Sequence, residues 1–204
     1  MEKILIAISV HVKAFLMLKS ARKTEVIMAI REIVIFPDER LRLSNSEVSE
    51  FGPKLKSLTD DMFETMYAEE GIGLAAPQIG INQRLVVIDI PDDNGKQGEN
   101  QLIMVNPEIT AVSDNQIESE EGCLSVPGYQ DKIKRFDKVS VSFQDIEGNR
   151  HSMENVEGLL AICMQHEIEH LSGKLFIDHL SRLKRDRLKK KFGKILKDRQ
   201  SSKE

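Results

Sequence analysis

The run Gln165-His166-Glu167-Ile168-Glu169-His170-Leu171 lies inside an apolar stretch of helical period, residues 157–171, that Gly173 stops. At 3.6 residues per turn, His166 and His170 share one face and sit one turn apart. Two imidazoles so placed can converge on one metal ion, with Glu167 beside them to carry a proton. Five histidines occur in the 204 residues, so a His-Glu-x-x-His spacing arises by chance in roughly one such chain in a hundred. The motif points to a metal site on a helix and leaves the chemistry open.

A catalytic site for a divalent transition metal usually takes three protein ligands and leaves one position for water. The only two cysteines, Cys123 and Cys163, are candidates for the third. Cys163 shares the helix face but precedes His170 by seven residues, about 10.5 Å of axial rise. It reads as an apolar wall residue, the usual place of a buried thiol. Cys123 belongs to a separate segment, Glu121-Gly122-Cys123-Leu124-Ser125. Spacing alone reads it equally well as a thiolate ligand or as a buried structural cysteine. Two cysteines make no disulfide framework and require no oxidising compartment.

Around this centre the pattern is that of a mixed chain. Residues 33–36, Ile-Val-Ile-Phe, predict a short strand ended by Pro37. Pro53 opens a helix that closes at Gly71, with Leu55, Leu58, Met62, Phe63, Met66 and Tyr67 at helical spacing. Residues 84–90 and 102–105 read as apolar strands on either side of a polar loop at 91–100. Residues 138–146 alternate as a half-buried strand does; Glu147-Gly148-Asn149 turns the chain, and 150–156 return as a hairpin. A charged helix covers about 181–200. Strands dominate the middle and helices the end, so the expected class is α+β.

Composition and charge bound the function. Hydrophobic residues make up 40% and charged residues 30% of the chain, the balance of a globular protein. The net charge of −4 is unevenly spread. Residues 1–27 carry +3, 182–204 carry +8 and the body between them −15. The basic C-terminal helix, with Lys189-Lys190-Lys191, reads as a solvated face or as a docking surface for a polyanion. Residues 4–18 are mostly apolar but too short for a membrane span, which needs about 20 apolar residues. Residues 1–27 are therefore expected to be an upstream extension outside the natural chain, which would begin at Met28. The alternative is an organellar presequence. Residues 28–204 are expected to form a single catalytic domain.

Three segments now stand together: Gly71-Ile72-Gly73-Leu74-Ala75-Ala76-Pro77-Gln78, Glu121-Gly122-Cys123-Leu124-Ser125 and the His-Glu-x-x-His run. In that order they closely resemble the three signature motifs of peptide deformylases. The resemblance runs from Met28 to the end of the charged helix, and is densest at 37–43, 60–78 and 158–180. It implies antiparallel sheets around a central helix that carries the two histidines. It implies Cys123, His166 and His170 as ligands of one divalent ion, Fe(II) foremost, with zinc, nickel or cobalt as alternatives. It implies Glu167 as general base and acid, and the Gln78 carboxamide and Leu124 backbone N–H as donors to the oxyanion. Leu159, Ile162 and Cys163 match positions that line a methionine pocket. An extended peptide could dock on a sheet edge near Gly73 by main-chain hydrogen bonds. The implied reaction is removal of the formyl group from the N-terminal methionine of new polypeptides, in the cytoplasm or, with a presequence, in an organelle. The ribosome is the partner expected for the basic helix, no membrane association is expected, and a monomer is favoured. Glu169 is a departure, since the family commonly has Asp there; one residue before His170, it points about 100° away from that ligand and reads as a residue behind the ligands. Two rival readings remain: a metalloprotease with His179 as third ligand, and a non-catalytic relative that kept the fold.

Overall fold

A computed structural model describes residues 29–201. The extension of 1–27 lies outside them. Helix α1 (Pro53–Ala68) begins with proline at its first turn and buries Leu55, Met62, Phe63 and Met66. After it come β1 (Gly73–Ala75), β2 (Leu85–Asp89), β3 (Gln101–Val112), β4 (Gln116–Gly122), β5 (Gln130–Phe136), β6 (Lys138–Gln144) and β7 (Arg150–Glu157). Helix α2 (Gly158–His170) carries the histidines, and α3 (Arg182–Ser201) ends the described chain. The strands form a five-stranded sheet in the order β1-β2-β3-β6-β7 and a separate β4-β5 hairpin. Every pairing between these named strands is antiparallel. The α+β expectation holds.

Strand β2 explains the layering. Its side chains alternate between two faces, as strand geometry requires. Leu85 and Val87 pack with Met62, Phe63 and Met66 of α1. Val86 and Ile88 pack with Ala161, Met164 and Ile168 of α2. The sheet is therefore covered on both faces, and all five β2 residues are buried. A third cluster joins the β4-β5 hairpin to α3 through Ile133, Phe176, Leu188 and Phe192.

The carbonyl end of α2 is tightly held. Asn45 donates from its side-chain amide to the carbonyls of His170 and Leu171 at 3.3 Å, and from its backbone N–H to Leu171 at 3.1 Å. These are the acceptors a helix leaves unpaired at its C-terminus. Gly173 lies just beyond at φ +70°, where a Cβ would collide with the Arg42 backbone.

Some elements differ from expectation. Residues 33–35 form no regular element, Phe36 begins a turn, and none of them belongs to a sheet. Val34 N–H donates to the Gln78 carbonyl at 2.7 Å and Phe36 N–H to that of Ser125 at 2.8 Å. The segment thus stitches two irregular loops instead of pairing with one strand. The strand expected at 102–105 continues to Val112 through a register shift around Asn106 and Pro107. The β4-β5 hairpin has no apolar alternation on its outer face; Glu118 lies opposite Lys134 and Glu120 opposite Lys132. No helix among the described residues is long and apolar enough to cross a membrane.

Candidate metal centre

His166 and His170 project from α2 with ring centroids 5.0 Å apart. Cys123 meets them from the turn after β4, its Sγ 3.4 Å from His170 Nε2. One ligand atom from each of the three lies within 4.8 Å of the others. His166 Nδ1 lies 2.8 Å from a Glu121 carboxylate oxygen, which turns Nε2 toward the cluster. Burial holds His170 well below the usual histidine range, so its ring stays neutral with a lone pair to give. Two imidazoles and a thiol, nearly enclosed and convergent, form a donor set that suits a divalent transition metal. Cys163 lies outside the group; its Sγ faces the Ile72 carbonyl at 3.9 Å, as a wall residue. His179 is outside it too. Its Nε2 is 3.0 Å from both Glu169 oxygens, which removes the metalloprotease reading's third ligand.

Glu167 stands next to the cluster, buried, with Oε2 free of any hydrogen-bond partner among the described residues. Burial pushes its carboxyl up to about 7, and His166 opposes that rise. A carboxyl poised there can both take and return a proton near neutral pH. Gln78 is buried and oriented by its own loop. Its Oε1 accepts from Ala75 N–H at 2.7 Å, leaving Nε2 directed at Cys123 Sγ (3.4 Å) and Ser125 Oγ (3.3 Å). The backbone N–H of Leu124, one residue past Cys123, has no acceptor among the described residues.

These groups open onto a cleft of about 790 Å³. Gly71–Gly73 form one side, the Cys123 turn another, and Leu159, Ile162 and Cys163 of α2 a third. Leu159 is 49% exposed, so it belongs to the cleft rim and not to the core. β1 is the edge strand of its sheet, so Gly73 lies at a free edge beside the cleft. A Cβ on Gly73 would lie 2.6 Å from Glu167 Oε1 and 2.7 Å from Cys163 Sγ.

Residues 30–186 match the family model for polypeptide deformylase. A peptide deformylase of Bradyrhizobium diazoefficiens is 48% identical over 172 residues, covering 83% of this chain and 98% of that one. The solved peptide deformylase of Legionella pneumophila is 46% identical, covers 86% of this chain and 99% of its own, and superposes with a TM-score of 0.75. That of Ehrlichia chaffeensis, solved with actinonin, is 40% identical over 82% of this chain and 98% of its own, with a TM-score of 0.76. The chain belongs to the polypeptide deformylase family. Members of the family are metal-dependent hydrolases that remove the N-formyl group from nascent peptides.

Two parts of this deformylase site are silent in the sequence. Glu121 stands inside its motif without an evident role, and Arg135 lies in no motif at all. Arg135 donates to Glu121 from Nε at 2.7 Å and Nη2 at 2.9 Å. Burial opposes ionisation of Glu121, but Arg135 and His166 outweigh it and hold the carboxyl at about 2. Only the ordinary charged alternation of β5 marks Arg135, so no local signal could have found it. Glu169 is behind the ligands, as expected, where it meets Arg135 Nη1 at 2.8 Å.

The absence of a side chain at Gly73 has a direct consequence. Gly73→Ala should displace Glu167 and lower deformylation of formyl-Met-Ala-Ser on the order of a hundredfold, the scale of a misplacement of about 1 Å. Steady-state formate release checks this beside circular dichroism; wild-type turnover in a folded variant would refute the contact.

Proposed function

We propose that residues 28–204 form one catalytic domain that deformylates N-formylmethionyl nascent peptides with the side chains gathered at this cleft. The reading rests on one observation above all. The Cys123, His166 and His170 donors converge beside a buried carboxyl, Glu167, that lacks a partner among the described residues. We take Cys123, His166 and His170 as the metal ligands. The resemblance supports Fe(II); by ligand softness the same donors accept zinc, nickel or cobalt. A divalent ion bound there supplies the acidification of a water and polarisation of the formyl carbonyl.

Glu167 takes a proton from the attacking water and returns it to the departing amine, so formate and a free N-terminus are released. Negative charge develops on the formyl oxygen, and the Gln78 amide and Leu124 N–H are the donors that meet it. Fixing Gln78 through Ala75 in advance means no reorganisation is required as that charge appears. The methionine side chain lies against Leu159, Ile162 and Cys163. The peptide backbone extends along the free edge at Gly73. The reading carries with it a monomer acting in the cytoplasm, or in an organelle if residues 1–27 are a presequence.

Glu167→Ala is expected to retain metal while losing nearly all turnover, and Gln78→Leu to lose about a hundredfold or more in kcat. The first measurement is formate release from formyl-Met-Ala-Ser by anaerobically purified Fe(II) protein, beside Cys123→Ala and an unformylated peptide. Turnover that persists in metal-loaded Glu167→Ala would remove its assigned role; cleavage of the unformylated peptide would revive the protease reading.

We also propose that α3 docks the enzyme on ribosomal RNA. Arg182, Arg185 and Lys189 line a cleft of about 490 Å³ together with Asp186 and with Arg42, whose charge is paired with Asp178, so bases outnumber acids there. Deleting 182–204 would test this poorly, because Leu188 and Phe192 are core residues and Phe192 meets Phe36 edge-on at 6.0 Å. Arg185→Glu with Lys189→Glu leaves that packing alone. The pair should weaken salt-sensitive sedimentation with ribosomes and leave turnover of the free tripeptide unchanged; undiminished sedimentation would end the proposal.

A further inference from the structure

The buried guanidinium of Arg135 lies between two carboxylates. Nε and Nη2 donate to Glu121, which also meets His166 Nδ1, while Nη1 reaches Glu169 at 2.8 Å. Glu169 continues outward, with His179 Nε2 3.0 Å from each of its oxygens. His179 ends the short 3₁₀ turn Phe176–His179. Phe176, in the same turn, stacks on the His166 ring with centroids 5.9 Å apart and planes at 26°. The contacts close a ring: His166, Glu121, Arg135, Glu169, His179 and, through the turn, Phe176 back to His166.

We propose that Glu169 and His179 are positioning residues that clamp Arg135, lock the His166 imidazole in its ligating orientation and so set how long the site retains its metal. The inference rests on the reading of Cys123, His166 and His170 as ligands. A guanidinium held by one carboxylate can still rock about that pair. A second carboxylate on Nη1, approaching from another element, removes the motion. Glu121 then has one position, and through it so does His166. Glu169 suits the task because it sits on α2 beside His170, so ligand and clamp move as one rigid helix. Its length matters as well, since it spans from α2 to both Arg135 and His179. A side chain shorter by one methylene would have to give up reach on one of them. His179 supplies the outer stop, and Phe176 ties that stop to the ring it controls.

Zinc-loaded protein is diluted into excess chromogenic chelator, the first-order release rate is recorded, and the melting temperature of each metal-free form is measured. Glu169→Gln is expected to release zinc on the order of 10–100-fold faster, the range typical of lost contacts behind a ligand. Glu169→Asp and His179→Ala should fall between it and wild type, with metal-free melting unchanged. Asp178→Asn serves as control, because Asp178 braces the same turn through Arg42 and Leu175 without joining the ring. Release from Glu169→Gln at the wild-type rate would overturn the clamp. So would an equal acceleration in Asp178→Asn, which would mean general loosening of the turn. If wild type holds zinc and His166→Ala does not, the ligand reading stands whichever way the clamp variants behave. A wild-type chain that takes up no zinc would overturn both.

Discussion

A helix that carries Gln165, His166, Glu167, Glu169 and His170 in six consecutive residues cannot be buried unless the rest of the chain supplies partners. Burying a polar group without one costs on the order of 1–3 kcal/mol in a protein, more for a charge. The fold around α2 can be read as the set of elements that meet this requirement. Gln165 accepts from the Phe136 N–H at 3.0 Å and donates to the Phe136 carbonyl at 2.9 Å, so it fastens the end of β5 to the helix. His166 takes Glu121 from β4. Asn45 covers the carbonyls at the helix end. Two polar atoms of the helix lack a partner among the described residues, Glu167 Oε2 and His170 Nδ1. Unpaired buried groups in an otherwise satisfied helix mark where chemistry takes precedence over stability.

The pair of Arg135 with Glu121 should not be counted as a stabilising device. Removing two charges from water costs several kcal/mol per ion, and their attraction roughly offsets it. What the pair provides is direction. The two guanidinium nitrogens give the Glu121 carboxylate its direction, Glu169 on the third nitrogen limits its rocking, and the imidazole facing Glu121 is turned accordingly. Glu121 stays ionised at any pH near neutrality because its carboxyl is held at about 2. The β4-β5 hairpin contributes little hydrophobic surface on its outer face. Its contribution is to deliver Glu121, Cys123 and Arg135 to the same helix face.

Much of this is legible in the sequence, for reasons of distance along the chain. His166, Glu167 and His170 are local, so helical period alone brings them together. Gln78 and Cys123 are legible only through the resemblance, because nothing in a spacing tells that positions 45 and 47 residues apart meet. The choice between Cys123 and Cys163 shows this: axial rise argues against Cys163, but only the turn after β4 brings Cys123 Sγ to 3.4 Å from His170. Arg135 and the hairpin escape a reading of the sequence because the alternation there is of charges, with Glu118 opposite Lys134, and carries no hydrophobic period. Residues 33–36 mislead for the opposite reason. Their β-branched run looks like a strand, but tertiary partners at Gln78 and Ser125 use its N–H groups one at a time.

In the proposed reading, the free edge at β1 is where the fold meets its substrate. Exposed sheet edges invite unwanted pairing, and proteins usually blunt them with charge, proline or brevity. This edge has brevity, with three residues, all buried, set along the cleft. Its backbone is thereby shielded from another folded protein yet remains open to a single extended chain entering the cleft. Pairing through main-chain groups is indifferent to side chains, whereas the wall of Leu159, Ile162 and Cys163 can distinguish one apolar residue by shape. In the proposed function, a site divided in this way would read the first residue of a peptide and tolerate any residue after it. That is the selectivity required of an enzyme that must process many different nascent chains sharing one N-terminal group.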